Sequence, residues 1–183
     1  MSPQQKDLYT ELPAGTVCRD YHFKKISDVI PGFRGYSTLD DMKAADSQIR
    51  DQVLKELKRL LDIAVPVKDH IQGLMFLSLM ADYEAVITGI KAAISEVEAA
   101  YPGYGRICDT YKPLKDSLEE IYRVDYTLLN ELENAGKMLH GARIIRQEHI
   151  LKGDLYKVKS SVEEFSRLYA LRNNTILCLI EKK

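Results

Sequence analysis

Two stretches of this chain space their apolar residues by four and three in unbroken alternation. The first runs through Leu114, Leu118, Ile121, Asp125, Leu128, Leu132, Ala135 and Leu139. The second runs through Leu155, Val158, Val162, Phe165, Tyr169, Arg172, Ile176 and Leu179. Such spacing keeps one stripe facing a neighbouring helix, with the side chains of each filling the gaps of the other. No stretch alternates apolar and polar residues as a half-buried strand does. Internal repeats and low-complexity segments are also absent. The fold class is therefore all-α.

Prolines divide the rest, because they interrupt helix interiors and are tolerated in first turns. Cys18 to Ile30 reads as a short helix with Phe23, Ile26 and Ile30 on one side, ended by Pro31-Gly32. Gly32 to Tyr36 reads as a turn with two glycines available for positive φ. Helix one should begin at Ser37-Thr38, where Thr38 and Asp41 resemble a capping box. Its stripe is Met42, Ala45, Ile49, Val53, Leu57, Leu60 and Ala64. Helix two should run from about Pro66 to Tyr101, along Phe76, Leu79, Tyr83, Val86, Ile90, Ala93, Val97 and Tyr101. Between Ile71 and Ala81 its residues are apolar on nearly every face, as suits a central helix or one docked on a second surface. Helix three should start at Pro113 and continue through Gly136 and Gly141 to Lys152, spanning about 60 Å. Gly153 and Asp154 then read as a C-terminal glycine and an N-cap before helix four. Short connections favour antiparallel neighbours. The expectation is an up-down-up-down four-helix bundle with long helices over residues 38–183. Residues 1–37 would form an N-terminal extension with its short helix.

Hydrophobic residues make up 45% of the chain and charged residues 29%, enough apolar material for a core. The formal charge of -1 excludes a globally basic coat or an acidic tail. Cys18, Cys108 and Cys178 are far apart and form no C-x-x-C, so neither a disulfide scaffold nor a cysteine zinc site is expected. The opening MSPQQKDLYTELPAG lacks the apolar run of a signal peptide. The most apolar stretch, Ile71 to Ala81, is far shorter than the roughly 20 residues a spanning helix needs. A cytoplasmic protein without a transmembrane segment is the expectation.

Two motifs add a resemblance. One is Ile30-Pro31-Gly32-Phe33-Arg34-Gly35-Tyr36, followed by Ala45-Asp46 and Arg50. The other is Gly103-Tyr104 and Asp109, then Leu118-Glu119-Glu120-Ile121-Tyr122 with Asp125 and Leu128-Leu129. Together they resemble a functionally unassigned all-helical family of prokaryotes. Its patterns read PGY-x-GY before the first long helix and L-x-x-L-Y-x-x-D-x-x-L-L in the third. Phe33 stands here for Tyr, and Ile121 for Leu. The resemblance covers roughly residues 30 to 130, implies the helical architecture and implies no reaction.

The residues that could carry chemistry are few. A di-metal centre in a helix bundle needs Glu-x-x-His on two helices. Three residues before His22, His70, His140 and His149 stand Arg19, Val67, Lys137 and Arg146, so the pattern fails each time. Phosphate-loop, dinucleotide, metalloprotease and nucleophile-elbow motifs are absent. No catalytic residue, metal or cofactor is assigned. Asp125 interrupts an apolar seam, and counting rise from the helix starts puts Asp46 and Arg50 at its level, with Tyr83 and Glu84 opposite. Asp46, Arg50, Glu84 and Asp125 thus form a candidate buried polar layer, with Tyr83 or Tyr122 able to donate a hydroxyl. An ion pair fixing helix register is the structural reading. A small-ligand or proton-handling site is the functional one. Arg172 can reach solvent along its own stem.

Charge is unevenly distributed. Between Lys137 and Lys159 six cations face only Glu148 and Asp154. From Pro66 to Gly136 six cations face twelve carboxylates. Lys137, Arg143, Arg146, His149, Lys152, Lys157 and Lys159 are therefore candidate anion-binding residues at a helix-hairpin tip. Nucleic acid, a nucleotide or anionic lipid headgroups are the ligands they would take. The structural reading is a solvated helix end, where cations also suit the helix dipole. Tyr36, Tyr101, Tyr104, Arg106 and Tyr111 form a candidate interaction loop, or a cap over the core. The resulting expectation is a non-catalytic scaffolding or regulatory protein that binds a protein partner or itself, through the apolar face of helix two. The first alternative is a binder of phosphate-rich ligands. The second is a small-ligand sensor or enzyme using the polar layer.

Overall fold

Thr38 starts the first long helix as a true cap: its hydroxyl accepts the Asp41 backbone N–H at 3.1 Å and donates to the Asp41 carboxylate at 2.7 Å. Asp40 and Asp41 lie at the positive end of the helix dipole. In the computed structural model, backbone is described for residues 14–100 and 115–181, and side chains for 21–100 and 118–176. Every regular element among the described residues is helical. These are α1 (Ala14–Val29), α2 (Leu39–Gly73), a short 3-10 turn (Leu77–Leu79), α3 (Met80–Ala99), α4 (Lys115–Ala142) and α5 (Glu148–Glu181). The five helices pack together: α2 against α3 and α4, α5 against α3 and α4, and α1 against α4. No described helix is long and apolar enough to cross a membrane.

The stripes read from spacing line the interior. Met42, Ala45, Ile49, Val53, Leu57, Leu60 and Ala64 are fully buried, as are Ile121, Leu128 and Leu139 on α4 and Phe165 and Tyr169 on α5. Phe165 and Tyr169 stack with centroids 5.7 Å apart. A second set on α4, Tyr122 and Leu129, is also buried. Phe23 of α1 meets the Tyr122 ring edge-on at 5.8 Å, which fixes α1 to α4. Gly32 and Gly35, at φ 76° and 74°, make the turn that carries the chain from α1 to α2. A Cβ on Gly35 would run into the Tyr122 hydroxyl and lie 3.1 Å from the Phe23 ring, so glycine is needed there for both reasons.

Three boundaries differ from the sequence reading. Helix one does not stop at Pro66, which lies inside α2. An interior proline loses one backbone hydrogen bond and costs about 3 kcal/mol. Val67 and Ile71 extend the same stripe into the core, and burying two such side chains offsets that loss at about 1.5–3 kcal/mol each. Helix two consequently does not begin at Pro66. The chain turns at Gly73–Leu79 and α3 starts at Met80. The apolar Ile71–Ala81 run is thus no all-round apolar helix, and the helix-two face expected to support self-association is not formed by it. Ile71 and Leu79 are buried there, while Met75 and Leu77 are 75% and 60% exposed. Finally, helix three ends at Ala142 instead of Lys152. The Ile144 N–H bonds to the Gly141 carbonyl across a turn, and α5 begins at Glu148. Gly153 and Asp154 therefore lie inside α5 and bound nothing. Ile145 and Ile150 kept the helical spacing by coincidence: one sits in the turn and the other is 42% exposed.

Candidate functional site

Among the described residues the interior holds one charged cluster, assembled from α2, α4, α5 and the α1–α2 turn. Arg172 is fully buried, as is Asp125, and Asp46 is 1% exposed. The Arg172 guanidinium donates Nε to Asp125 Oδ1 at 2.6 Å, Nη1 to Asp46 Oδ1, and Nη2 to the Tyr36 hydroxyl at 3.2 Å. Tyr36 donates its own hydroxyl to Asp125 Oδ2. Arg50 donates Nε to Asp46 Oδ2 at 2.8 Å, and Nη1 to the Tyr169 hydroxyl at 3.1 Å and the Ala100 carbonyl. The backbone N–H of Tyr36 is held by the Tyr122 hydroxyl at 3.0 Å. Among the described residues the cluster sets two guanidinium groups against two carboxylates, as burial favours.

Protonation follows from these contacts. Burial raises the Asp125 carboxyl, against the pull of Arg172 and the Tyr36 hydrogen bond. Burial and the neighbouring Asp125 hold the Tyr36 phenol well above its ordinary value. Burial disfavours the charged Arg172, yet Asp125, Tyr36 and Asp46 outweigh it and hold the guanidinium charged. The groups able to move a proton thus bind one another, deep inside.

The structure brings Asp46, Arg50 and Asp125 together but not Glu84. Glu84 is exposed on α3 and pairs with Lys68 at 3.5 Å. The cause is the register error at Pro66: with α3 starting at Met80, the level of Arg50 falls at the far end of α3, where it meets Ala100. Arg50 is likewise not the partner of Asp125. Arg172 is, and it does not reach solvent as its flexible stem would allow. Its place in the seam marked it, but its long stem was read as carrying the head out to solvent. Tyr83 is buried outside the cluster, and Tyr36, expected in a surface loop, is inside it. Tyr101, Tyr104, Arg106 and Tyr111 lie outside the described residues.

The basic residues surround the α4–α5 turn, and all are exposed. Lys137, Lys157 and Lys159 pair with Glu133, Asp154 and Glu163 on their own helices. Arg143, Arg146 and Lys152 have no ion pair among the described residues. The α2–α3 turn lies against this one: His70 Nε2 is 2.6 Å from the Ile145 carbonyl, and Ser78 donates to the Glu148 carboxylate. A separate groove of about 430 Å³ runs between α1, α2 and α4, past Lys25, Asp28, Glu56, Arg59, Tyr126 and Glu133. Its walls mix both charges, and Arg59 is taken by Glu56 at 2.7 Å. No group of histidine, cysteine and carboxylate side chains that could hold a metal ion occurs among the described residues. Comparison with protein-family models, with curated proteins and with solved structures gives no match.

Proposed function

We propose that this chain is a non-catalytic interaction protein of the cytoplasm. In this reading α2 to α5 form an up-down-up-down four-helix bundle, and the exposed basic turn is the surface that meets a polyanionic partner. Ion pairs Lys58–Glu98 and Lys68–Glu84 support the antiparallel course of α2 and α3, because they step in opposite directions along the chain. The resemblance over residues 30 to 130 agrees with the helical architecture and carries no reaction.

One observation carries the functional reading. Asp46, Asp125 and Arg172 bind one another and are buried, whereas Arg143, Arg146 and Lys152 stand exposed without ion-pair partners among the described residues. A proton-handling or ligand site needs access and an unoccupied group. A polyanion site needs only exposed cations, whose counterions are released on binding.

The two halves of the proposal separate by mutation. Arg143→Glu, Arg146→Glu and Lys152→Glu together should abolish salt-sensitive retention on phosphocellulose, with stability changed by about 0.5 kcal/mol or less per site. Asp125→Leu should lower stability and leave retention unchanged at a temperature where the variant is folded. Retention that survives the charge reversal overturns the proposal. So does retention lost from the folded Asp125 variant.

A further inference from the structure

The end of the molecule that carries the unpaired cations also carries apolar side chains in water. Ile144 is 80% exposed, Met75 75%, Leu77 60% and Ile150 42%; these are four of the eight large hydrophobic residues exposed among the described ones. They come from two different turns, yet the His70–Ile145 and Ser78–Glu148 contacts hold those turns side by side. Among the described residues Met75 is the non-glycine residue at positive φ, 59°, a backbone setting that disfavours residues bearing a Cβ. Nothing about folding calls for methionine there. Its side chain does not enter the core. Exposed aliphatic residues at the end that also carries Arg143, Arg146 and Lys152 are costly in water unless something covers them.

We infer that this end docks on an anionic lipid bilayer. Ile144, Met75 and Leu77 would enter the boundary between headgroups and acyl chains, while Arg143, Arg146 and Lys152 meet lipid phosphates. The inference rests on the polyanion-binding reading above and names its partner. Charge complementarity selects an anionic surface. The aliphatic character selects lipid over nucleic acid: single-strand binders stack bases on aromatic rings, and the two turns expose aliphatic side chains instead. Of the carboxylates at this end, Glu84 and Asp154 are paired with Lys68 and Lys157, Glu148 accepts from the neutral Ser78 hydroxyl and keeps its charge, and Asp69 and Asp82 lie near the end of α2 and the start of α3. Neither element spans the bilayer, so the contact is peripheral and reversible by salt.

The chain has no tryptophan, so Ile144→Trp supplies a fluorophore within the exposed aliphatic set. Vesicles of equal parts phosphatidylglycerol and phosphatidylcholine should shift its emission to the blue and float the protein. Pure phosphatidylcholine vesicles should do neither, and added salt should reverse both effects. On the otherwise native chain, Leu77→Ser with Ile144→Ser should weaken flotation roughly tenfold, as expected for removing two inserted aliphatic side chains. The Arg143, Arg146 and Lys152 charge reversal should remove it. Flotation that ignores the serine changes, or emission that ignores the vesicles, overturns the inference. Salt-sensitive phosphocellulose retention without vesicle binding overturns the lipid assignment and leaves the polyanion reading standing. Loss of both overturns both.

Discussion

Arg172 decides the character of the interior. A fully buried guanidinium is stable only where its charge and its donors are answered, and Asp125, Asp46 and Tyr36 answer them. Asp125→Leu should therefore destabilise the protein by about 3 kcal/mol, because it leaves Arg172 with one carboxylate. Arg172→Met should be comparably harmful, since Asp125 then keeps only the Tyr36 hydroxyl. The double variant should lose less than the sum by about 1–3 kcal/mol in urea unfolding. Strict additivity would mean that the pair does not interact. Tyr36 sets a second expectation. Its folded phenol holds its proton well above the ordinary value of 10.0, while the unfolded chain releases it near that value. Above pH 10 the unfolded state thus binds fewer protons, and stability falls as pH rises; below pH 10 the contribution is intact. Each pH unit above 10 should remove up to about 1.4 kcal/mol for each such tyrosine. Tyr36→Phe should flatten the alkaline decline without abolishing it, because burial also raises Tyr169 and Tyr83. At this scale the sequence showed that Asp125 breaks a seam and that Asp46 and Arg50 share its level. It could not show that Arg172 is the hub, because pairing across helices depends on turn positions that spacing does not locate.

Helices were more legible than their ends. Every stripe read from three-and-four spacing on α2 and α5 that falls on described side chains is buried, apart from the doubt over Arg172's head, which proved buried too. Turns were misplaced wherever one residue type carries two meanings. Pro66 can open a helix or sit inside one, and the extension of the buried stripe to Ile71 settled it. Gly153 can end a helix or lie within it, and Gly141 was the glycine beside the real end. Gly32 and Gly35 separate the backbone demand from the packing demand. Both have positive φ, but a Cβ on Gly32 meets nothing within 4 Å, while one on Gly35 meets Tyr122 and Phe23. Gly32→Ala should therefore cost about 1 kcal/mol from the backbone alone. Gly35→Ala should cost about 2–3 kcal/mol, since steric displacement of Tyr122 adds to it. Equal losses in chemical denaturation would show that the Tyr122 contact yields freely.

Charge is unevenly distributed along the chain although the formal net charge is -1. That separation could be read from the order of residues, but its alignment with exposed aliphatic side chains could not. Met75 and Leu77 sat within an apolar run that suits either a central helix or one docked on a second surface, and the turn at Gly73–Leu79 turns them outward. The candidate surface was thus half visible: its cations by counting, its apolar half only from the tertiary arrangement. The buried cluster has a different reach. It joins residue 36 to residue 172 through side chains of α2 and α4, so the turn before α2 cannot lift away without exposing the charges around Arg172. Local opening there is replaced by opening of the assembly. In native-state hydrogen exchange, the Tyr36 amide should accordingly be protected as strongly as the middle of α5, despite lying in a short glycine-rich connection. An amide exchanging as fast as those of an ordinary turn would show instead that the N-terminal arm breathes independently of the helices it touches.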